Sequence, residues 1–210
     1  MAGPLPEDVL RRFNVSRESL ARLERYVALL LRWQRRINLI GPSTASQVWQ
    51  RHILDALQLI PLLPPGTRII ADLGSGAGIP GLVLAIATGL EVHLYESNGK
   101  KAAFLREAAR YCEAKAVIHQ VRIETIGADP GHAKADVVTA RALAPLGRLL
   151  DQAEPFLKAG ALGLFHKGQD VDAELTEASK SWRIVAERHP SLTDSKAVIL
   201  EVKEASRAAP

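Results

Sequence analysis

The stretch that decides the fold runs from residue 69 to residue 81 and reads Ile69-Ile70-Ala71-Asp72-Leu73-Gly74-Ser75-Gly76-Ala77-Gly78-Ile79-Pro80-Gly81. An apolar run ends in a carboxylate, passes through four glycines and continues into the apolar residues 82–87. This pattern predicts a buried parallel strand, a tight turn and the start of a helix. Glycines in such a turn allow backbone amides and the helix N-terminus to approach a ligand closely. The stretch therefore predicts a site for a nucleotide-like cofactor at the carboxyl end of a strand.

Two cofactors are compatible with this glycine loop. Residues 76–81 satisfy G-x-G-x-x-G, and Glu96 follows Gly76 by twenty residues, as in dinucleotide-binding folds. The alternative is the S-adenosylmethionine loop, acidic-x-Gly-x-Gly-x-Gly, which is matched in register by Asp72, Gly74, Gly76 and Gly78. A carboxylate suits the sulfonium and ammonium cations of that cofactor. The loop favours S-adenosylmethionine but leaves the nicotinamide interpretation open. A turn that binds no ligand would need only one or two glycines.

Length and composition predict one ordinary domain, or one domain with a small extension. The chain has 210 residues, of which 47% are hydrophobic. It contains no run of about eighteen apolar residues, and residues 1–8 lack the basic and apolar regions of a signal peptide. The single cysteine, Cys112, lies in a predicted amphipathic helix and is expected to be a packed thiol in a reducing compartment. We expect a cytoplasmic protein that is not bound to a membrane.

The positive charge is concentrated in the N-terminal third. Residues 1–68 contain ten arginines, no lysine and five acids, a net charge of +5, whereas the other 17 basic and 18 acidic residues sum to −1. On a helix predicted over residues 17–37, four arginines fall within a sector of about 80°. We call them the basic stripe: Arg22, Arg25, Arg32 and Arg36. Because arginine binds phosphates and stacks on bases, and Tyr26 and Trp33 border the stripe, an RNA-facing surface is one hypothesis. A merely solvated helix face is the other.

The order of the remaining elements predicts a doubly wound α/β fold. Helical patterning fills residues 5–60, with a turn at 41–44, and a stiff connector covers residues 61–66. Helices are then predicted at 80–88, 100–113, 145–158 and 170–181, and strands at 69–73, 91–96, 116–121, 136–140, 161–166, 182–186 and 197–202. Alternation of this kind implies parallel strands with helices on both faces.

A terminal hairpin with a turn at residues 189–191 completes the predicted sheet, and the tail 204–210 is expected to be frayed. Such a hairpin is typical of a Rossmann-like seven-stranded methyltransferase sheet and favours S-adenosylmethionine. We predict an N-terminal helical region at residues 1–64 packed on a methyltransferase domain at residues 65–210.

Other chemistries have little support in the sequence. The six histidines show no metal-ligand spacing with cysteines or carboxylates, and no nucleophile elbow or Walker sequence occurs. Metal chemistry, hydrolysis and phosphoryl transfer are therefore not expected.

Five segments in addition to the loop indicate a family. They lie, in order, at residues 32–40, 51–57, 96–107, 139–142 and 166–169. Together they resemble the bacterial small-subunit ribosomal RNA methyltransferase family called RsmG or GidB, which makes 7-methylguanosine in the 530 loop of 16S ribosomal RNA. The resemblance covers roughly residues 20–170. Ala140 stands where serine is common in the family, and Glu96 stands where aspartate is common.

The resemblance implies a cofactor site for S-adenosylmethionine. Its expected residues are Asp72, Gly74, Gly76, Gly78, Ile79, Glu96, Ile123, Glu124 and Arg141. Gly74 and Ile79 would lie along the cofactor, while Gly76 and Gly78 shape the turn. Glu96 would accept hydrogen bonds from the ribose, Ile123 and Glu124 would flank the adenine, and Arg141 would lie near the methionine end.

The implied substrate is 16S ribosomal RNA or the small ribosomal subunit, bound by a monomer. Ring nitrogen 7 of guanine has an in-plane lone pair and carries no proton, so no catalytic base is expected and no catalytic residue is assigned. Basic residues are expected to hold phosphates, the cofactor or oxygen 6: Arg25, Arg32, Arg36, Lys100, Lys101 and Lys167 for RNA, and Arg141 near the cofactor. The alternatives are a methyltransferase of a protein or small molecule and an NAD-binding oxidoreductase.

Overall fold

The computed structural model describes residue 5 and residues 7–128 and 134–208. In these residues the α-helices are α1 Glu7–Arg12, α2 Arg17–Gln34, α3 Asp55–Leu57, α4 Gly81–Thr88, α5 Gly99–Tyr111, α6 Leu146–Lys158 and α7 Val171–Ala178. The strands are β1 Ile69–Leu73, β2 Glu91–Tyr95, β3 Ala116–His119, β4 Val137–Arg141, β5 Leu162–Lys167, β6 Trp182–Pro190 and β7 Val198–Arg207. A π-helical segment, Trp49–Leu54, precedes α3, and 3₁₀ turns occur at Pro42–Gln47, Ile60–Leu62 and Ile123–Ala128.

The strands form one seven-stranded sheet in the order β3-β2-β1-β4-β5-β7-β6. The first five strands are parallel to one another, whereas β7 is antiparallel to both β5 and β6. The predicted seven-stranded α/β fold with a terminal hairpin is therefore confirmed. Because β1 pairs with β2 on one side and β4 on the other, the chain reverses its direction of winding at β1, and a crevice opens there at the carboxyl ends of the strands. We call that side of the sheet the carboxyl edge.

Each face of the sheet is covered by helices that bury their own apolar core. On one face, the N-terminal helices share a core with α4 and α5, which includes Leu23, Leu30, Ile53, Leu82 and Phe104. On the other face, α6 and α7 pack on the strands through Leu146, Leu150, Phe156, Ala178 and Trp182. The helical region before β1 thus packs directly on the sheet domain, as its amphipathic pattern requires.

The N-terminal helices end earlier than expected. The predicted helix 17–37 stops at Gln34, and residues 41–44 contribute to a 3₁₀ turn instead of a simple break. The reason lies in the Gln34 side chain, which accepts hydrogen bonds from the amides of Leu39 and Ile40 and donates to the carbonyl of Ile40. These bonds stabilise a reversal of the chain that competes with further helical turns.

The terminal hairpin is longer than expected. The predicted turn at 189–191 and the predicted frayed tail from residue 204 are wrong, because β6 reaches Pro190 and β7 reaches Arg207. The two strands pair from Trp182–Arg207 to Pro190–Val198. Polar side chains on the exposed face of this edge hairpin conceal the strand pattern in the sequence. None of the described helices is long and apolar enough to cross a bilayer.

Candidate cofactor site

The glycine loop has the backbone conformation that its sequence predicts. Gly74, Gly76 and Gly78 have φ values of +66°, +55° and +82°, which residues with a Cβ atom rarely adopt. A Cβ on Gly74 would lie 2.5 Å from Leu143 Cδ1, and one on Gly78 would lie 2.7 Å from Leu82 Cβ. Glycine is therefore required at both positions for conformation and for space.

Hydrogen bonds inside the protein hold the loop. The amide of Gly76 donates to Glu96 Oε2 at 2.9 Å, and the amide of Gly78 donates to the carbonyl of Ser75 at 2.6 Å. The fully buried hydroxyl of Tyr26 on α2 donates to the carbonyl of Ala77 at 2.6 Å. Burial raises the pKa of Tyr26, so this hydroxyl remains a donor. The contact between α2 and the loop has no signal in the sequence beyond the apolar position of Tyr26 on its helix.

A cavity of about 360 Å³ opens beside the loop at the carboxyl edge. Its lining residues are Gly74, Tyr95, Glu96, Ser97, Lys101, Arg122, Ile123, Glu124, Ala142, Leu143, Arg148 and Gln152. The volume lies within the range of small-molecule sites, about 300–1,000 Å³. Four of the nine predicted cofactor residues, Gly74, Glu96, Ile123 and Glu124, come together here from three loops. Gly76, Gly78 and Ile79 belong to the glycine loop but are not among the residues that line the cavity in the described part of the chain.

Glu96 joins the glycine loop to the end of β2. It is 7% exposed, and its second oxygen, Oε1, accepts from the amide of Asn98 at 2.7 Å. Each carboxylate oxygen has a further lone pair. Glu96 can therefore accept an additional hydrogen bond from a ligand hydroxyl while it keeps its two amide partners.

Glu124 stands at the opposite side of the cavity. Gln152 Nε2 donates to its Oε1 at 3.1 Å, and Arg148 lies 3.6 Å from the same oxygen. A hydrogen bond from its own backbone amide, then the bond from Gln152, holds the pKa of Glu124 below its usual value. Sequence reasoning missed Gln152 and Arg148, although their spacing of four residues on α6 places them on one face of that helix.

Asp72 lies beneath the loop, 1% exposed, and does not line the cavity in the described chain. Its Oδ1 accepts from Thr139 Oγ1 at 2.8 Å, whereas Oδ2 has no hydrogen-bond partner among the described residues. Burial raises the pKa of Asp72 to about 6, although the bond from Thr139 opposes that shift. A Cβ on Gly81 would lie 2.6 Å from Asp72 Cβ, so the carboxylate lies against the first residue of α4.

Arg141 is held outside the cavity. Its Nε lies 2.7 Å from Asp55 Oδ2, its Nη1 lies 3.0 Å from His52 Nδ1, and its Nη2 donates to the carbonyl of Arg51 at 3.0 Å. It lines a neighbouring pocket of about 200 Å³ together with Asp55 and His166. Ala142, the next residue, lines both this pocket and the cofactor cavity, and the expected place of Arg141 near the methionine end of the cofactor stays a prediction.

The basic stripe is largely paired with acids of α5 and the residues that follow it. Arg22 and Arg25 contact Glu113 at 3.6 and 3.3 Å, and Arg32 contacts Glu107 at 3.2 Å. Arg36 lies beyond the end of α2, is exposed and forms no ion pair with a described residue.

The two aromatics expected beside the stripe are also occupied. Tyr26 is fully buried, and Trp33 Nε1 donates to Glu107 Oε2 at 3.2 Å. The expectation that both aromatics border an open RNA surface is therefore wrong for Tyr26.

The three predicted RNA-binding lysines have different surroundings. Lys100 is exposed at the start of α5, and the half-buried Lys101 lines the cofactor cavity. Lys167 is 7% exposed; its Nζ donates to the carbonyl of Ala144 at 3.1 Å and pairs with Glu174. A buried, doubly engaged ammonium group has to break those contacts before it can bind a phosphate, and RNA binding by Lys167 stays a prediction that its surroundings do not favour.

One polar cluster has no metal-ligand spacing along the sequence and forms only in the fold. The hairpin of β6 and β7 brings Glu187, His189 and Glu201 within 4.8 Å of one another. Lys203 Nζ lies 2.9 Å from Glu187 and 3.7 Å from Glu201, which makes the cluster an internal ion-pair network.

The residues around the cavity fit an adenosine-type cofactor. Gly74 presents backbone without a side chain to the cavity, Glu96 and Glu124 offer acceptors, and Ile123 offers an apolar surface. The buried Asp72, with one oxygen unpartnered among the described residues, places negative charge under the loop, which suits a cationic ligand.

Solved structures share this fold at low sequence identity. The glycopeptide N-methyltransferase MtfA complexed with S-adenosylmethionine aligns with a TM-score of 0.59 at 12% identity, over 73% of this chain and 94% of that one. M. jannaschii TYW2 in complex with AdoMet aligns with a TM-score of 0.56 at 13% identity, over 83% of this chain and 80% of that one. These likenesses establish a methyltransferase-type fold.

Sequence comparison gives the family. A ribosomal RNA small subunit methyltransferase G of Rhodospirillum rubrum is 53% identical over 203 residues, which cover 97% of this chain and 99% of that protein. The protein of the same name from Paramagnetospirillum magneticum is 52% identical over 202 residues, covering 96% and 97%. Residues 19–202 match the family GidB, described as rRNA small subunit methyltransferase G. The chain therefore belongs to the rRNA small subunit methyltransferase G family, as its sequence motifs predict.

Proposed function

We propose that this chain, an S-adenosylmethionine-dependent ribosomal RNA methyltransferase by its family, transfers the methyl group to ring nitrogen 7 of a guanosine in the 530 loop of 16S ribosomal RNA. The observation that carries the site of this reaction is the cavity in which Gly74, Glu96, Ile123 and Glu124 meet at the carboxyl edge. Family membership favours S-adenosylmethionine over a nicotinamide cofactor at the glycine loop.

The proposed cofactor site combines the glycine loop with two carboxylates, Glu96 and Glu124, that accept hydrogen bonds. Gly74 forms the side along which the cofactor lies, and Gly76 and Gly78 shape the turn through their positive φ values; Ile79, which is buried in the core, supports the loop from behind. Glu96 accepts from the ribose hydroxyls with its remaining lone pairs. These roles are supported by the backbone conformation of the loop and by the two amide bonds that orient Glu96.

The adenine end is assigned to the 3₁₀ turn Ile123–Ala128. Ile123 gives an apolar contact surface, and Glu124, kept ionised by its hydrogen bonds, accepts from the exocyclic amine. Asp72 acts from beneath the loop through its charge and not by direct contact, because it is buried behind Gly74 and α4.

In S-adenosylmethionine the methyl group is bonded to a sulfonium sulfur. The neutral thioether that remains after the transfer is a good leaving group. Guanine nitrogen 7 carries no proton, so the protein needs no general base and has to align the two reactants. The residues around the cavity are consistent with this limited task, since Glu96 and Glu124 are both engaged as hydrogen-bond acceptors.

RNA is proposed to approach the carboxyl edge. The pairs Arg25–Glu113 and Arg32–Glu107 show that α2 and α5 run antiparallel, which brings Arg36 toward the start of α5, where Lys100 is exposed. Arg32, Trp33 and Arg36 line a groove of about 290 Å³ on this side. Exposed arginine beside an aromatic ring is a common way to hold RNA phosphates and bases.

The test uses small ribosomal subunits from a strain that lacks this gene, incubated with the purified chain and methyl-labelled S-adenosylmethionine. We expect label in 7-methylguanosine within the fragment that contains the 530 loop, identified by mass spectrometry after digestion. Label at another nucleoside or in protein alone would overturn the proposed target. We propose further that the chain acts in the cytoplasm and that it is a monomer; gel filtration with light scattering tests the oligomeric state directly.

A further inference from the structure

Residues 142–145 connect β4 to α6 and form one wall of the cofactor cavity. We call them the wall segment. Ala142 and Leu143 line the cavity, and Ala142 has a φ of +51°, in the left-handed region. The Leu143 side chain packs over Gly74, within 2.5 Å of where a Cβ on that glycine would lie. The position of the wall segment therefore determines the width of the cavity next to the glycine loop.

The first end of the wall segment is held by the N-terminal region. Arg141, immediately before the segment, uses all three guanidinium nitrogens on Arg51, His52 and Asp55. The Asp55 side chain is 9% exposed, and its other oxygen accepts from Thr193 Oγ1 at 2.6 Å. Removing one partner of such a buried pair leaves an uncompensated charge, so the pair is costly to break.

His52 completes this attachment as a neutral ring. Burial, followed by the charge of Arg141, lowers the pKa of His52 to about 4. Its Nδ1 therefore accepts from Arg141, and its Nε2 donates to Thr44 Oγ1, 2.8 Å away. Thr44 in turn donates to the carbonyl of Gly41, so each donor in this series of hydrogen bonds, from Arg141 to Thr44, has an acceptor.

The second end of the wall segment is held by β5 and α7. Lys167 Nζ donates to the carbonyl of Ala144 at 3.1 Å and pairs with Glu174. Glu174 Oε2 also accepts from the amide of Leu146, the first residue of α6, at 2.6 Å. Both ends of a four-residue segment are thus attached to buried or half-buried charged groups.

We infer that Asp55 and Lys167 are positioning residues for the cofactor: Asp55 acts through Arg141 and Lys167 through Ala144, and together they hold the wall segment in its binding shape. Neither residue lines the cavity in the described chain. The inference rests on the proposed placement of the cofactor in this cavity. Asp55, Arg141 and Lys167 come from the segments 51–57, 139–142 and 166–169. The inference therefore assigns these three segments the same role, which is to hold the wall segment. Preorganised supporting contacts of this kind set the precision of a binding site.

The test compares Asp55→Asn with a matched control, Glu107→Gln. Asparagine keeps the size of Asp55 but removes the charge that pairs with Arg141, so we expect the Kd for S-adenosylmethionine, measured by calorimetry, to rise by about threefold to thirtyfold. Amide hydrogen exchange in residues 142–146 should accelerate in the same variant without cofactor. Glu107 also joins the N-terminal region to the sheet domain, through Arg32 and Trp33, but it is remote from Arg141. Glu107→Gln should leave the Kd and the exchange of these amides unchanged.

Both variants are measured at a temperature at which circular dichroism shows them to be folded. A Kd within twofold of wild type in Asp55→Asn, with unchanged exchange in residues 142–146, would overturn the inference. If Asp55→Asn does not fold, Lys167→Met tests the other end with the same two readouts and the same criterion. A wild-type chain that bound no S-adenosylmethionine would instead refute the proposed cofactor site, which separates the two failures.

Discussion

The two halves of the predicted site differ in how far the sequence determines them. In the glycine loop half, Gly74, Glu96, Ile123 and Glu124 meet around one cavity. In the basic half, Arg25 and Arg32 contact acids 88 and 75 residues away in the chain. A positive φ is a local requirement that glycine announces in the sequence, whereas the use of an arginine depends on what folds against it. The difference teaches that backbone motifs are safer predictors of a site than charge patterns.

A larger side chain in the glycine loop should have the largest of the predicted effects. Gly74→Val introduces a β-branched side chain at a φ of +66° and drives it against Leu143, which must then move into the cavity. We expect a loss of about a hundredfold in affinity for S-adenosylmethionine, since a bound cofactor would force the displaced Leu143 back against the valine side chain, an overlap that costs about 3 kcal/mol. Calorimetry on the folded variant measures this loss.

Gly160→Val is the matched control for the backbone strain alone. Gly160 has a φ of +94° and nothing within 4 Å of where its Cβ would lie. It should lower the free energy of unfolding by about 1–2 kcal/mol and leave cofactor affinity unchanged. Equal affinity losses in the two variants would show that the cavity next to Gly74 is not the binding site.

Titration of Asp72 should have the next largest effect. Its pKa is raised from 3.8 to about 6 on folding, so between these values the folded state binds more protons than the unfolded state. The free energy of unfolding therefore falls as the pH rises from about 4 through 6, and it is lower by about 3 kcal/mol above that window. Urea unfolding of wild type and Asp72→Asn across pH 4–8 isolates the effect as the difference between the two curves. A difference that does not vary with pH would show that Asp72 is not buried as an ionisable group beneath the loop.

Charge reversal in the basic half should have the smallest effect, and it should depend on pairing. Arg36 is unpaired among the described residues, whereas Arg25 is paired with Glu113. Arg36→Glu should weaken binding of single-stranded RNA from the 530 loop and lower the slope of log affinity against log salt by about 0.7 for each phosphate that is no longer neutralised. Arg25→Glu should change RNA affinity less, and it should cost up to about 1 kcal/mol of stability through the exposed pair. If Arg25→Glu weakened RNA binding more than Arg36→Glu, the RNA surface would be the full basic stripe.

Much of the fold could be predicted because its signals are local. The apolar run of β1 with its glycine turn, the alternation of strands and helices and the terminal hairpin all follow from periodicity and turn residues. Element ends were less accurate: the Gln34 side chain closes a chain reversal after α2, and polar residues conceal the outer part of β6. Both depend on partners distant from the position being predicted.

The candidate site was predicted in composition but not in arrangement. Glu96 could be proposed from its position after a strand, and Glu124 from the family resemblance. Gln152 and Arg148, which hold Glu124, lie on a helix that approaches only in the folded chain. Lys167 looked like an RNA-binding cation because a sequence shows its charge and not its burial against Ala144 and Glu174.

The sequence by itself determined the family through the resemblance of its motifs. It determined the sheet and the glycine loop because apolar periodicity and the need for positive φ are properties of individual residues along the chain. Only the tertiary structure decided which charges remain available. Arg141 and Lys167 find acidic or carbonyl partners in the folded chain, as a charge removed from water requires. The more exposed arginines of the basic stripe pair with acids that lie far away in the chain. For this reason the same residues that suggest RNA contact in the sequence serve, in the fold, to hold the N-terminal region and the wall of the cofactor cavity in place.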